Sequence, residues 1–278
     1  MNLGDLFYKA SGNVKHSLAM GGWIRPPFEE ADAISVRIPN DAGYDDVVEW
    51  WHNIKAGGVD LTNRILQELE VPFIHELFAD GNGNNTMPAE YISMFIHQGI
   101  VPQMGGNLLN NAVQTYRMMT DQALHKVNIE ENLLLNFHRC LTAGEVYDKD
   151  CGSYRSMAVE GGHPAHDIRH TMNKAFRQTL EFLDFHQTKN HALLAACYMY
   201  ITIVRVLPFI AYNDMVAKVM LNFILMKYDL PPVCIYAEDT FNAMHDMDLF
   251  VSQENIIPFM SFVRISTQKT WHNIMNVV

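Results

Sequence analysis

Two apolar helical runs separated by a short polar turn constrain this chain most. The first runs from Ala192 to Val204 and the second buries Val216, Val219, Met220, Phe223 and Met226 at helical spacing. Between them the sequence reads V-R-V-L-P-F-I-A-Y-N-D-M-V-A-K, from Val204 to Lys218. A helix that is apolar on every side belongs in the interior, with other helices around it. The run Ala192–Val204 falls short of the ~20 residues that a membrane span needs, so it reads as a buried core helix.

The rest of the chain supplies such helices. Val47, Val48, Trp51 and Ile54 form one apolar stripe, and Leu61, Ile65, Leu66 and Leu69 form a second after the break at Gly57-Gly58. Pro88 suits the first turn of a short helix through Ile96. Another helix is expected after Asn107, and Leu133, Leu134, Phe137 and Leu141 mark one over 129–142. Pro164 opens a helix to about Phe185, and Asn190 is the expected cap of the buried run. Further helices are expected from Asp239 to Phe250 and from Ile256 onward. Residues 1–45, rich in Gly and Pro breakers, read as a loop-rich arm. Cys151–Val159 is short and holds Gly152, so it reads as a strand or hairpin. There is no βαβ alternation, and the expected class is all-α.

Composition excludes several functions. The formal charge is −11, with 31 acidic and 20 basic residues, and no Lys/Arg run stands out. This disfavours a nucleic-acid footprint and an anionic membrane surface as partners. Cys140, Cys151, Cys197 and Cys234 form no C-x-x-C pair and read as reduced thiols of a cytoplasmic protein. The N-terminus has no signal architecture.

Three segments in order carry a resemblance. Asn136-Phe137-His138-Arg139-Cys140-Leu141 is similar to an L-H-x-x-L helix, Gly152-Ser153-Tyr154-Arg155 through Val159 to a G-x-Y-R-x-x-x-V flap, and Leu207 onward to an H-P-F-x-D-G-N-G-R-x-x-R loop. Together, between about Gln98 and Phe250, they resemble the Fic (Fido) family. The resemblance implies a helical bundle with a short β-hairpin flap. It divides the chain into an N-terminal extension (1–95), a Fic-like core (96–255) and a C-terminal helix on the core (256–278).

The family's reaction is another matter. Its His is a general base, worth roughly 10²–10⁴-fold. Its Asp holds the Mg²⁺ of a nucleotide, its Gly residues let backbone N–H groups approach phosphates, and its Arg forks onto phosphate oxygens. Here Leu207 stands at the His and Ala211 at the Asp. Tyr212 and Asp214 stand at the Gly positions, and Met215 at the first Arg. Pro208, Phe209 and Asn213 remain, and Lys218 replaces the second Arg. Leu207 cannot accept a proton and Ala211 cannot bind metal. Tyr212 is expected to resist a positive φ. Asn213, Asp214 and Lys218 are the vestigial anion site, with Lys218 alternatively paired to Asp214 at i,i+4. The expected cofactor set is therefore empty, with Mg-ATP or another nucleotide as the alternative.

The implied function is a regulatory or protein-binding pseudoenzyme. Its flap residues Tyr154, Arg155, Met157 and Val159 would take an extended peptide by strand addition. The alternative is a diverged nucleotide binder or transferase acting on protein hydroxyls. Self-association is expected from the helical flanks. Val101 and Gly105 match the family's inhibitory Ser/Thr and Glu, which implies that the inhibitor is absent too. Phe78–Asn84 spells F-x-D-G-N-G-x, but Glu76 stands at its His; a glycine-rich turn is expected there, with calcium as a lesser reading. His166 with His170 is read as a solvated face, and His245-Asp246 as a polar turn; no metal site is expected.

Overall fold

The computed structural model describes residues 24–80, 82–103, 105–186 and 188–276. Within them the α-helices are α1 (Ala31–Arg37), α2 (Ala42–Ala56), α3 (Val59–Leu77), α4 (Ala89–Gln98), α5 (Gly106–Leu124), α6 (Glu131–Thr142), α7 (Ile168–Phe185), α8 (Lys189–Val206), α9 (Asn213–Lys227), α10 (Thr240–Gln253) and α11 (Ile257–Met275). No strand forms among these residues, apart from an isolated bridge between Ala79 and Asn85.

The two apolar runs become α8 and α9, and they pack on each other more extensively than any other pair. Nearly every side chain of both is buried, Asn222 included. Its amide donates to the carbonyls of Lys218 (2.9 Å) and Val233 (3.0 Å) and accepts from Val233 N–H (2.7 Å). A polar group this deep is tolerated because its hydrogen-bonding capacity is matched. It fixes the turn after α9 to the helix body.

Around this pair, α5 and α6 cover α9, while α7 and α11 cover α8. An outer layer follows, with α2 on α11, α3 on α5 and α10 on α11. Trp51 and Trp271 join α2 to α11, and the Trp271 indole donates to Pro232 O at 2.8 Å.

Local chemistry accounts for the helix ends. The Asp41 side chain caps α2 through Tyr44 N–H at 3.2 Å. Gly99, at φ 69°, ends α4 in the left-handed region, where a glycine carries no Cβ penalty. Helix α8 is capped by Thr188, whose hydroxyl accepts from His191 N–H (3.4 Å), rather than by Asn190. The expected loop-rich arm is partly helical: Pro27–Glu30 makes a 3-10 turn that leads into α1. The part of that arm before Ile24 lies outside the described residues.

Candidate functional site

The six residues Leu207–Tyr212 join α8 to α9. Helix α8 ends with Leu207 in the left-handed region (φ 49°, ψ 62°), its N–H on Ile203 O. A helix C-terminus leaves carbonyls without partners. Here Arg155 supplies them. Its guanidinium donates to Leu207 O (2.6 Å) and Val206 O (3.3 Å), and its backbone N–H to Pro208 O (2.9 Å). The same guanidinium reaches Met157 O (2.7 Å) and His163 O (2.6 Å).

This geometry corrects the expected β-hairpin flap. The hairpin does not form because the groups a ladder would pair are held elsewhere. Arg155 N–H and His163 N–H both turn to the end of α8, the latter onto Val206 O at 3.1 Å. The carbonyls of Met157 and His163 face a guanidinium instead of a partner strand. Gly162 is required at this point: a Cβ there would lie 2.6 Å from the Arg155 guanidinium and from Val159. Of the expected target-binding residues, Arg155 is buried and Tyr154 packs on Phe209 with ring centroids 5.5 Å apart. Val159 is half-buried, and Met157 is 57% exposed.

Phe209 is fully buried beneath the loop. His138 of α6 stacks on it, ring centroids 3.8 Å apart and planes 6° from parallel. Gly152 N–H donates to His138 Nδ1 at 3.0 Å, so the proton of the neutral ring sits on Nε2 and is directed to Ala211 O at 3.3 Å. Burial is the main cause that pulls the His138 pKa down from 6.5 to about 4, with Arg139 adding to it. Asn213 closes the loop from the other side: its Oδ1 accepts from Phe209 N–H and its Nδ2 donates to Phe209 O, both at 2.9 Å. Helix α6, the flap segment and the first turn of α9 thus hold one loop.

Tyr212 precedes α9 with φ 62° and ψ 22°. It adopts the conformation that a tyrosine was expected to resist. Tyr212 is mostly buried, and its phenol is pushed up to about 12 by burial first and Glu145 second. Met215 is buried as well, whereas Leu207 is only half-buried.

The three residues expected as an anion site are engaged by partners within the chain, with Lys218 buried and the Asp214 side chain about half exposed. Asn213 is committed to Phe209. Lys218, 6% exposed in its side chain, pairs with Asp214 Oδ2 at 2.9 Å and donates to Glu76 O at 2.9 Å. The other Asp214 oxygen accepts from the Tyr200 hydroxyl at 2.9 Å. Glu76 is a member of the site with no signal in the sequence. It is buried at the end of α3, and its carboxylate also accepts from Ala237 N–H at 2.7 Å. His138 had been read only as part of a helix pattern, and Arg155 as a surface residue of the flap.

The other candidates lie apart from this loop. Asp80 folds the Gly-Asn turn on itself by accepting from the N–H groups of Asn82 and Asn84, both at 2.9 Å. Burial alone would raise its pKa, but those N–H groups leave it below the usual value. His166 is exposed and lies 3.8 Å from Asp167. Asp246, beside His245, has its pKa raised by burial. No group of three or more His, Cys, Asp or Glu side chains is placed to hold a metal among the described residues. All four cysteines are free. Gly105 forms the turn before α5 at φ 72°, and Val101 is exposed. No described helix is long and apolar enough to cross a membrane.

Comparison with known proteins places this geometry. No protein-family model matches the chain. Over 150 residues it is 27% identical to the protein adenylyltransferase Fic of Drosophila persimilis, and equally to that of Drosophila pseudoobscura pseudoobscura. That match takes in 53% of this chain but only 29% of each relative, so the chain spans under a third of the curated relatives' length. Among solved structures, Fic-1 from C. elegans aligns with a TM-score of 0.68 at 15% identity, over 90% of this chain and 74% of the other. A Fic domain containing signaling protein from Bacteroides thetaiotaomicron aligns at 0.67 and 15% identity, over 84% of this chain and 97% of the other. A Fic family protein from Desulfovibrio desulfuricans aligns at 0.63 and 21% identity, over 86% and 76%. The chain has the Fic fold, and over about half its length its sequence is similar to curated Fic adenylyltransferases.

Proposed function

We propose that this protein is a non-catalytic member of its family, a regulatory or protein-binding module that does not transfer AMP. The observation that carries this reading is that Asn213, Asp214 and Lys218, the polar residues of the motif loop, are each engaged by partners within the chain. Leu207 offers no base and Ala211 no metal ligand. The oxygens of Asp214 are already engaged by Tyr200 and Lys218. These residues do not fit a Mg-nucleotide. The curated relatives are named adenylyltransferases, but activity does not carry over when base, metal ligand and phosphate fork are all replaced.

The partner expected is a protein segment meeting the flap at its exposed part, Ser156–Ala158, where Met157 offers an unbranched apolar anchor. Self-association through the helical flanks is a second expectation, read out by light scattering. The domain division at about residues 95 and 255 belongs to the same reading.

The test is incubation with labelled ATP and Mg²⁺, with the protein itself and a cell extract as acceptors, alongside partner capture by the wild type and by Met157→Glu. Absence of label together with partner loss in Met157→Glu supports the reading. Label transferred to protein hydroxyls overturns it and establishes the diverged transferase instead.

A further inference from the structure

A second cluster, remote from the motif loop in sequence, joins the start of the described chain to α7 and α8. Residues 24–37 run as a strap over these two helices. Phe28 stacks on Phe182 of α7, centroids 4.3 Å apart and 6° from parallel, and meets Tyr198 of α8 edge-on at 5.1 Å. The Tyr198 hydroxyl donates to Ile24 O at 3.3 Å. The ladder continues past Phe182. His186 stacks on it at 4.7 Å, and His191 of α8 meets His186 edge-on at 5.0 Å and Phe182 at 5.5 Å.

At its end stands Asp32 of α1, 3.3 Å from His191 Nε2. That approach lacks the alignment of a hydrogen bond, and both ring nitrogens of His191 are buried without a hydrogen-bond partner among the described residues. His186 donates from Nδ1 to Phe182 O at 3.1 Å, which leaves its Nε2 as the nitrogen that takes a proton.

We propose that Asp32, His191 and His186 form an acid-sensitive latch, which holds the strap on α7 and α8 at neutral pH and loosens it as the pH falls. Two imidazoles in edge contact cannot both become charged without repulsion. His191 is walled in by Phe182 and His186, and among the described residues Asp32 is the carboxylate close enough to offset a charge on it. Lys189, two residues earlier at the start of α8, is engaged with Asp45 of α2. Burial first, then His186, holds the His191 pKa below 6.5, against the opposing pull of Asp32. A histidine with a depressed pKa stabilises the docked state above its free value and withdraws that support as the pH drops through it. The window is therefore below about pH 6.5. What opens is the apolar face of Phe182 and Tyr198, which Phe28 covers while the strap is docked.

Hydrogen exchange of the whole protein at pH 7.5 and pH 5.0, corrected for intrinsic rates, tests the latch, with amides of α9 as the internal control. Protection over Ala31–Arg37 should fall roughly threefold or more beyond any fall over α9. His191→Gln should remove the differential and His186→Gln should shrink it. Asp32→Asn, on the exposed side, should enlarge it, since the offsetting carboxylate is lost. Equal protection at both pH values, or a response retained in both histidine variants, would overturn the proposal. The result is independent of nucleotide binding at the motif loop.

Discussion

His138 lies flat against Phe209, and its two nitrogens join Gly152 N–H to Ala211 O. One neutral imidazole thereby ties α6 to the flap segment and to the motif loop. The contact helps fix the loop between α8 and α9 in place.

This histidine makes stability depend on pH. Its folded pKa, about 4, lies below the value of 6.5 expected when unfolded. The folded state therefore gains from it above pH 6.5 and loses that gain as the pH falls toward 4. The full loss is about 3 kcal/mol, at about 1.4 kcal/mol per pH unit inside the window. Between pH 7.5 and 4.5, urea unfolding should show a loss of stability that is smaller in His138→Gln by about 2–3 kcal/mol.

Arg155 is expected to be a stability residue first. Arg155→Met strands the carbonyls of Val206, Leu207, Met157 and His163. The cost should be roughly 3 kcal/mol or more, since charge-assisted hydrogen bonds contribute about 1.5–3 each when buried partners are lost. Thermal unfolding checks it, and an unchanged midpoint would contradict the role given to Arg155.

Lys218 and Asp214 should respond unequally. Asp214→Asn leaves a buried ammonium without its carboxylate and should destabilise by about 1–3 kcal/mol. Lys218→Met removes the charge and keeps the length, so the cost should be small or the sign reversed. Denaturant midpoints of the two variants decide the order.

Restoring one residue should not restore a reaction. Leu207→His puts a base back at the end of α8, but Ala211 still binds no metal and Met215 donates nothing to a phosphate. No transfer of label from ATP is expected, as read by autoradiography.

Much of this could be read from the chain. The stripes at 47–54, 61–69 and 133–141 have helical period, and α2, α3 and α6 follow them. The Asp214–Lys218 pair follows from i,i+4 spacing. The flap was misread because a short segment beside a glycine has no local preference strong enough to decide, and a long-range contact does: the guanidinium of Arg155 takes the carbonyls that a ladder needs. The left-handed conformation of Tyr212, at a steric cost of about 1–2 kcal/mol, is likewise not marked by any local pattern in the sequence. Glu76 contributes mainly through its carbonyl to Lys218, a contact across 142 positions that no pattern in the sequence marks.

The most direct test of the central claim is calorimetric titration of the protein with ATP, with and without Mg²⁺. The inward pairing of Asn213, Asp214 and Lys218 predicts no saturable heat up to millimolar nucleotide. Saturable binding that weakens in Lys218→Ala or Asn213→Ala would contradict the account, because those side chains would then have to leave their internal partners to hold a phosphate.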